Sequence, residues 1–187
     1  MEKAIKESRI SEVRALEEDM TVEGYAVIFN DVTDLGYRKE VIDRNAFVGC
    51  DMQDVCMKYN HEDSVLIMAR TRNQSLQLIL DEKGLKVRAK LIDTQNNKDI
   101  YKMIQAGLLD KMSFAFTVTN EEIDYETNTR KILSIDKLYD VSVVDVPAYD
   151  STEIYARSKE KYEKEKEEYL QRKLEFEKEK LKLKASI

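Results

Sequence analysis

Met112-Ser113-Phe114-Ala115-Phe116-Thr117-Val118 alternates large apolar side chains with small ones at a period of two. That is the pattern of a β-strand with one face in a core. Met112, Phe114, Phe116 and Val118 belong to the buried face. Ser113, Ala115 and Thr117 share the other, where small side chains leave room for a substrate. A second stretch, Leu138-Tyr139-Asp140-Val141-Ser142-Val143-Val144, alternates in the same way, with Tyr139, Val141 and Val143 apolar and Asp140 and Ser142 polar. A carboxylate enclosed by a sheet is costly unless it is paired or hydrogen-bonded, so Asp140 asks for a partner.

Around these two stretches the chain reads as mostly strand. Arg9–Leu16, Val22–Phe29, Val55–Tyr59, Val65–Arg70, Leu76–Leu80, Leu85–Leu91 and Lys131–Ile135 have strand character, and Asp43–Gly49 reads as a short helix or turn. Asp81-Glu82-Lys83-Gly84 suits a tight hairpin, because Gly accepts the backbone that closes such a loop. From Thr94 the period changes to that of a helix through Ile100, Met103, Ile104 and Leu108, with Thr94 as N-cap and Gly107 just past the end. Pro147 then ends sheet pairing, having no N–H to donate. The expected fold class is mainly β (α+β): a closed or curved antiparallel β-barrel flanked by a few helices.

The chain has 187 residues, 36% of them charged, with one His, one Pro and two Cys. The charge is uneven. Residues 157–187 carry 11 basic and 8 acidic side chains, a local net of +3, and leave residues 1–156 at −9. So acidic a body is a poor platform for nucleic acid, whose binding rests on neutralising phosphates. No apolar run approaches membrane-spanning length. Cys50 and Cys56 make no disulfide framework, and with a single histidine they make no four-ligand metal site, so neither metal nor cofactor is expected. Residues 1–156 are expected to form one domain and residues 157–187 a charged helical tail. In that tail Tyr155, Tyr162, Tyr169, Phe176 and Leu183 recur every seven residues, with Leu170, Leu174 and Leu181 beside them. Polar Ser158, Glu165, Arg172 and Glu179 occupy the positions that would complete a coiled-coil seam. The expectation is a solvated helix with a narrow apolar face, used for docking on a partner or on its own copy.

His61 is the sole histidine, so any Ser-His or Cys-His chemistry must use it. It stands where the strand ending at Tyr59 breaks into polar Asn60-His61-Glu62-Asp63, and such loops are where reactive groups are presented. With Ser113 and Asp140 on inner polar faces, His61 completes a feasible Ser-His-Asp set, although exposed polar faces account for both strands equally well. Cys56 is the rival nucleophile, unless it is a buried and inert thiol.

Taken in order, several segments resemble the prohead protease family of tailed phages, relatives of the herpesvirus assembly protease. They are Gly24-Tyr25-Ala26-Val27-Ile28-Phe29-Asn30, Glu40-Val41-Ile42-Asp43-Arg44-Asn45-Ala46-Phe47, Asn60-His61 and Gly84-Leu85-Lys86-Val87. Gly107 ahead of Met112–Phe116, Leu138–Val144 and Pro147-Ala148-Tyr149 complete the set. The resemblance runs from Gly24 to about Ala156. It departs at Asn45, where the family commonly has Gly, and at Asp140, where it often has Glu. It implies Ser113 as nucleophile and His61 as base, with Asp140 as third member and Asp63 and Asp145 as fallbacks. It further implies a barrel core, homodimerisation, and cleavage of major capsid protein and scaffold segments, self-cleavage included, inside the assembling procapsid in the host cytoplasm. The competing expectation is a catalytically inert assembly or scaffolding protein that acts through its charged helix.

Overall fold

The computed structural model describes residues 7–16, 19–63, 67–145 and 153–185. Ten strands form one sheet. They are β1 (Glu7–Ala15), β2 (Thr21–Ile28), β3 (Val32–Asp34), β4 (Lys39–Ile42), β5 (Cys56–Tyr59), β6 (Ala69–Arg70), β7 (Leu76–Leu80), β8 (Gly84–Lys90), β9 (Lys111–Asp124) and β10 (Thr129–Val144). Helix α1 (Gln95–Gln105) lies between β8 and β9, and α2 (Glu153–Ala185) follows β10. Pro147, with the rest of Pro147-Ala148-Tyr149, falls outside the described residues, as do Val65 and Leu66 of the strand expected over Val65–Arg70.

The sheet runs β3-β4-β10-β9-β1-β2-β8-β7, and β5 and β6 branch from β10. It is open, not the barrel expected: among the described residues β3 pairs with β4 and β7 with β8, and no ladder joins β3 to β7. Closure needs a consistent stagger between first and last strands, which a count of short strands does not contain. Nor is the sheet wholly antiparallel, because β4 and β5 both run parallel to β10. The free edge of β10 is divided between them, β4 along Thr129–Ile132 and β5 along Asp140–Val143. Register shifts along β10 separate these two stretches and redirect the strand.

The strands expected over Lys131–Ile135 and Leu138–Val144 are one continuous element, because β9 pairs along its whole length. Met112, Phe114 and Phe116 are buried as the alternation predicts, opposite Val143, Val141 and Leu138. Phe114 stacks on Phe116 at 4.6 Å between ring centroids and meets Phe47 at 6.5 Å. Phe47 and Ala46 come from the turns over 43–49. Phe114→Ala removes this hub and should destabilise the chain by about 3–5 kcal/mol, seen as a lower denaturant midpoint. Gly24 is required by close approach: a Cβ there would lie 2.2 Å from the Glu12 carbonyl oxygen across the β1–β2 ladder.

Thr94 caps α1, its side chain accepting from the Asn97 N–H at 3.3 Å. Ile100, Tyr101 and Ile104 face the core. Leu108 does not: Gly107 at φ +70° reverses the chain, leaving Leu108 exposed and Leu109 buried.

Part of the apolar stripe expected on α2 packs against the chain itself, and the Tyr155 side chain lies outside the described residues. Tyr162 is buried against Tyr37 and Tyr125, and its hydroxyl donates to Asn128 Oδ1 at 2.7 Å. Tyr169 stacks on Tyr125 at 5.0 Å, and Lys173 pairs with Glu126. The helix therefore sits on the tip of the β9–β10 hairpin, while Leu174, Phe176, Leu181 and Leu183 remain exposed. Tyr162→Ala should release it, raising the rate of tryptic cleavage within α2 by about tenfold or more. No helix among the described residues is long and apolar enough to cross a membrane.

Candidate active site

Ser113 lies on β9 between β10 and β1, opposite Ser142 on one side and Ile10 on the other. Asp140 sits opposite Ala115, so Ser113, Ala115, Asp140 and Ser142 line one face of the sheet. A register shift between Leu138 and Asp140 changes the pattern expected upstream: Leu138, not Tyr139, joins Val141 and Val143 in the core, and Tyr139 is 37% exposed. An extra residue at this point turns Tyr139 outward without disturbing Asp140 and Ser142.

His61 arrives from the turn after β5, where Asn60 (φ +51°) and His61 (φ +57°) are both left-handed. Two consecutive non-Gly residues in this region are strained by about 1 kcal/mol or more each and persist only where surrounding structure holds them. Here the Asn60 N–H donates to the Val143 carbonyl at 2.9 Å, and Asn60 Oδ1 accepts from the Asp145 N–H at 3.1 Å. The turn is thereby bonded to the end of β10, and the imidazole is aimed across the sheet face.

The three candidate residues meet in one hydrogen-bonded chain. Ser113 Oγ is 2.8 Å from His61 Nε2, and His61 Nδ1 is 2.5 Å from Asp140 Oδ1. With the ring proton on Nδ1, His61 donates to the carboxylate and accepts from the Ser113 hydroxyl. Ser113 and Asp140 are fully buried, while the His61 side chain is 22% exposed and marks the solvent side of the site.

The fallback carboxylates are engaged elsewhere. Asp63 pairs with Lys58, and Asp145 accepts from the Tyr59 hydroxyl at 3.0 Å. Cys56 lies beside Asp140 in the β5–β10 register, but both imidazole nitrogens are taken by Asp140 and Ser113. Burial pushes the Cys50 thiol up to about 11, far from a reactive thiolate. Among the described residues no cluster of three or more His, Cys, Asp or Glu side chains forms a metal-binding group.

Two neighbours carry no role in the sequence reading. Ser142 donates to Asp140 Oδ1 at 2.9 Å and lies 3.1 Å from His61 Nδ1. Its place on the face of Asp140 is readable from the alternation, its bonds are not. Lys58 on β5 places its ammonium 4.0 Å from Asp140 Oδ2. Burial depresses this ammonium, but the Asp63 hydrogen bond and the Asp140 charge outweigh it, and its pKa is raised. Nothing in the sequence announces Lys58, since the parallel pairing of β5 with β10 brings it there.

Hydroxyl, imidazole and buried carboxylate joined in this order are the constellation that serine hydrolases use, recognised by geometry and not by chain order. Residues 8–167 match the family model described as caudovirus prohead serine protease, and the chain belongs to that family. It is 29% identical over 138 residues to the prohead protease of Enterobacteria phage HK97, a match covering 72% of this chain and 58% of that protein. The chain thus spans less than two thirds of the curated relative it matches. The bacteriophage T4 capsid assembly protease shares the fold, with a TM-score of 0.51 at 12% identity over 74% of this chain and 98% of that one.

Proposed function

We propose that this chain is a serine endopeptidase of phage procapsid maturation. The observation that carries the reading is the unbroken chain from Ser113 through His61 to Asp140, in a member of the prohead serine protease family. Ser113 Oγ attacks a peptide carbonyl while His61 Nε2 takes its proton, and His61 then returns that proton to the leaving amine. Asp140 holds the imidazole in the required tautomer and balances the imidazolium that forms. Water then hydrolyses the acyl-enzyme by the same route in reverse.

The substrates are segments of the major capsid protein and scaffold, and of the chain itself, met inside the assembling procapsid in the host cytoplasm. Residues 1–156 form the protease domain, and residues 157–187 serve as a docking segment whose exposed stripe meets scaffold or a second copy.

A fluorophosphonate probe tests this reading. It should label the folded chain at Ser113 alone, located by peptide mapping, and labelling should vanish after unfolding. Thiol alkylation should leave labelling unchanged. An unlabelled, folded chain that still supports shell assembly is the outcome of an inert scaffolding protein. Loss of activity on alkylation is the outcome of a Cys56–His61 enzyme.

A further inference from the structure

We propose that Lys58 is a positioning residue of this site, keeping Asp140 in its charged form and holding the turn that carries His61; the assignment rests on the triad reading above. Asp140 is fully buried, and a carboxylate so enclosed reverts to its neutral acid unless cations or hydrogen bonds hold its charge. Its Oδ1 is hydrogen-bonded to His61 Nδ1 and to the Ser142 hydroxyl. The Lys58 ammonium stands 4.0 Å from Oδ2.

The same ammonium pairs with Asp63, two residues beyond His61. Lys58 therefore ties the sheet to the far side of the turn that Asn60 ties to β10 on the near side. The Lys58 side chain is 13% exposed and Asp140 is fully buried, which separates their contact from a surface ion pair, whereas Asp63 is 90% exposed and contributes less. On the flanking strands, Arg70 of β6 pairs with Asp54, and Ser113 and Ala115 of β9, opposite Ser142 and Asp140, carry no charge.

The sign of its effect is fixed. A cation beside the His61–Asp140 pair disfavours a proton on either member. Removing the cation makes both hold protons to higher pH. A protonated His61 cannot accept the Ser113 proton, so the acid side of the activity profile moves upward.

His61 is the only histidine in the chain, so a histidine-labelled sample gives a single set of imidazole resonances. The experiment compares the full chain with Lys58→Met and Lys58→Arg, each on a Ser113→Ala background that prevents self-cleavage. In Lys58→Met the His61 titration curve should move to higher pH by about half a unit or more, and in Lys58→Arg it should stay in place. An unmoved curve in Lys58→Met overturns the proposal. Lys58→Gln serves the same comparison if the methionine variant does not fold. With Ser113 intact, fluorophosphonate labelling of Lys58→Met should fall about threefold more at pH 6 than at pH 8. A uniform fall across pH would assign Lys58 a merely structural part and overturn the proposal. A curve that moves as expected in a chain that never labels supports the Lys58 assignment and removes the protease reading instead.

Discussion

Ser113→Ala is expected to abolish proteolysis, with a loss on the order of 10⁴-fold or more, because Ser113 holds the hydroxyl at His61 Nε2, whereas the Ser142 hydroxyl is on the Nδ1 side and bonded to Asp140. Intact-mass measurement over time should show progressive trimming of the native chain and a single constant mass for the variant. The masses of the trimmed products would also reveal the cleavage preference. The fold should survive. Ser113 Oγ hydrogen-bonds to His61, and the β-carbon is retained in alanine, so the change in stability should be about 1 kcal/mol. Trimming at the native rate in Ser113→Ala would remove Ser113 from the nucleophile role.

Asp140→Asn should lower kcat/KM by about 10³–10⁴-fold on a peptide carrying the chain's own cut site. The amide has nearly the same shape but presents an N–H₂ where the carboxylate accepts. Facing that donor, His61 Nδ1 becomes the acceptor and the ring proton moves to Nε2, toward Ser113. The imidazole then has no lone pair to receive the hydroxyl proton. Stability falls less, by about 1–2 kcal/mol, since Lys58 loses one anion but keeps Asp63. A loss of activity under about tenfold would leave Asp140 as packing alone and place the third role elsewhere.

The parts of the site legible in the sequence are those written in alternation. Ser113 and Asp140 each stand opposite an apolar face, so period two alone puts them on the same kind of surface. The rank of His61 as sole histidine made it the necessary base. Alternation could not say that the two strands are neighbours, because pairing depends on the hairpin over 125–128 and on the register shifts that follow. It misplaced Tyr139 for the same reason: an extra residue flips the count without leaving a mark in hydropathy. Lys58 and Ser142 are ordinary polar residues until β5 pairs parallel to β10, a contact made across some eighty residues of chain. Barrel closure failed as an expectation because it depends on stagger around the whole sheet, to which no single segment testifies.

The anchorage of α2 has a consequence for how such a protein can change. Asn128, which receives Tyr162 and Lys166, precedes the first residue of β10, and Asp140 lies twelve residues further along, at most roughly 40 Å away at the usual rise. The handle and the chemistry are insulated by a dozen residues of β-ladder. A change confined to the outer turns of α2 is expected to leave the Ser113–His61–Asp140 hydrogen bonds as they are.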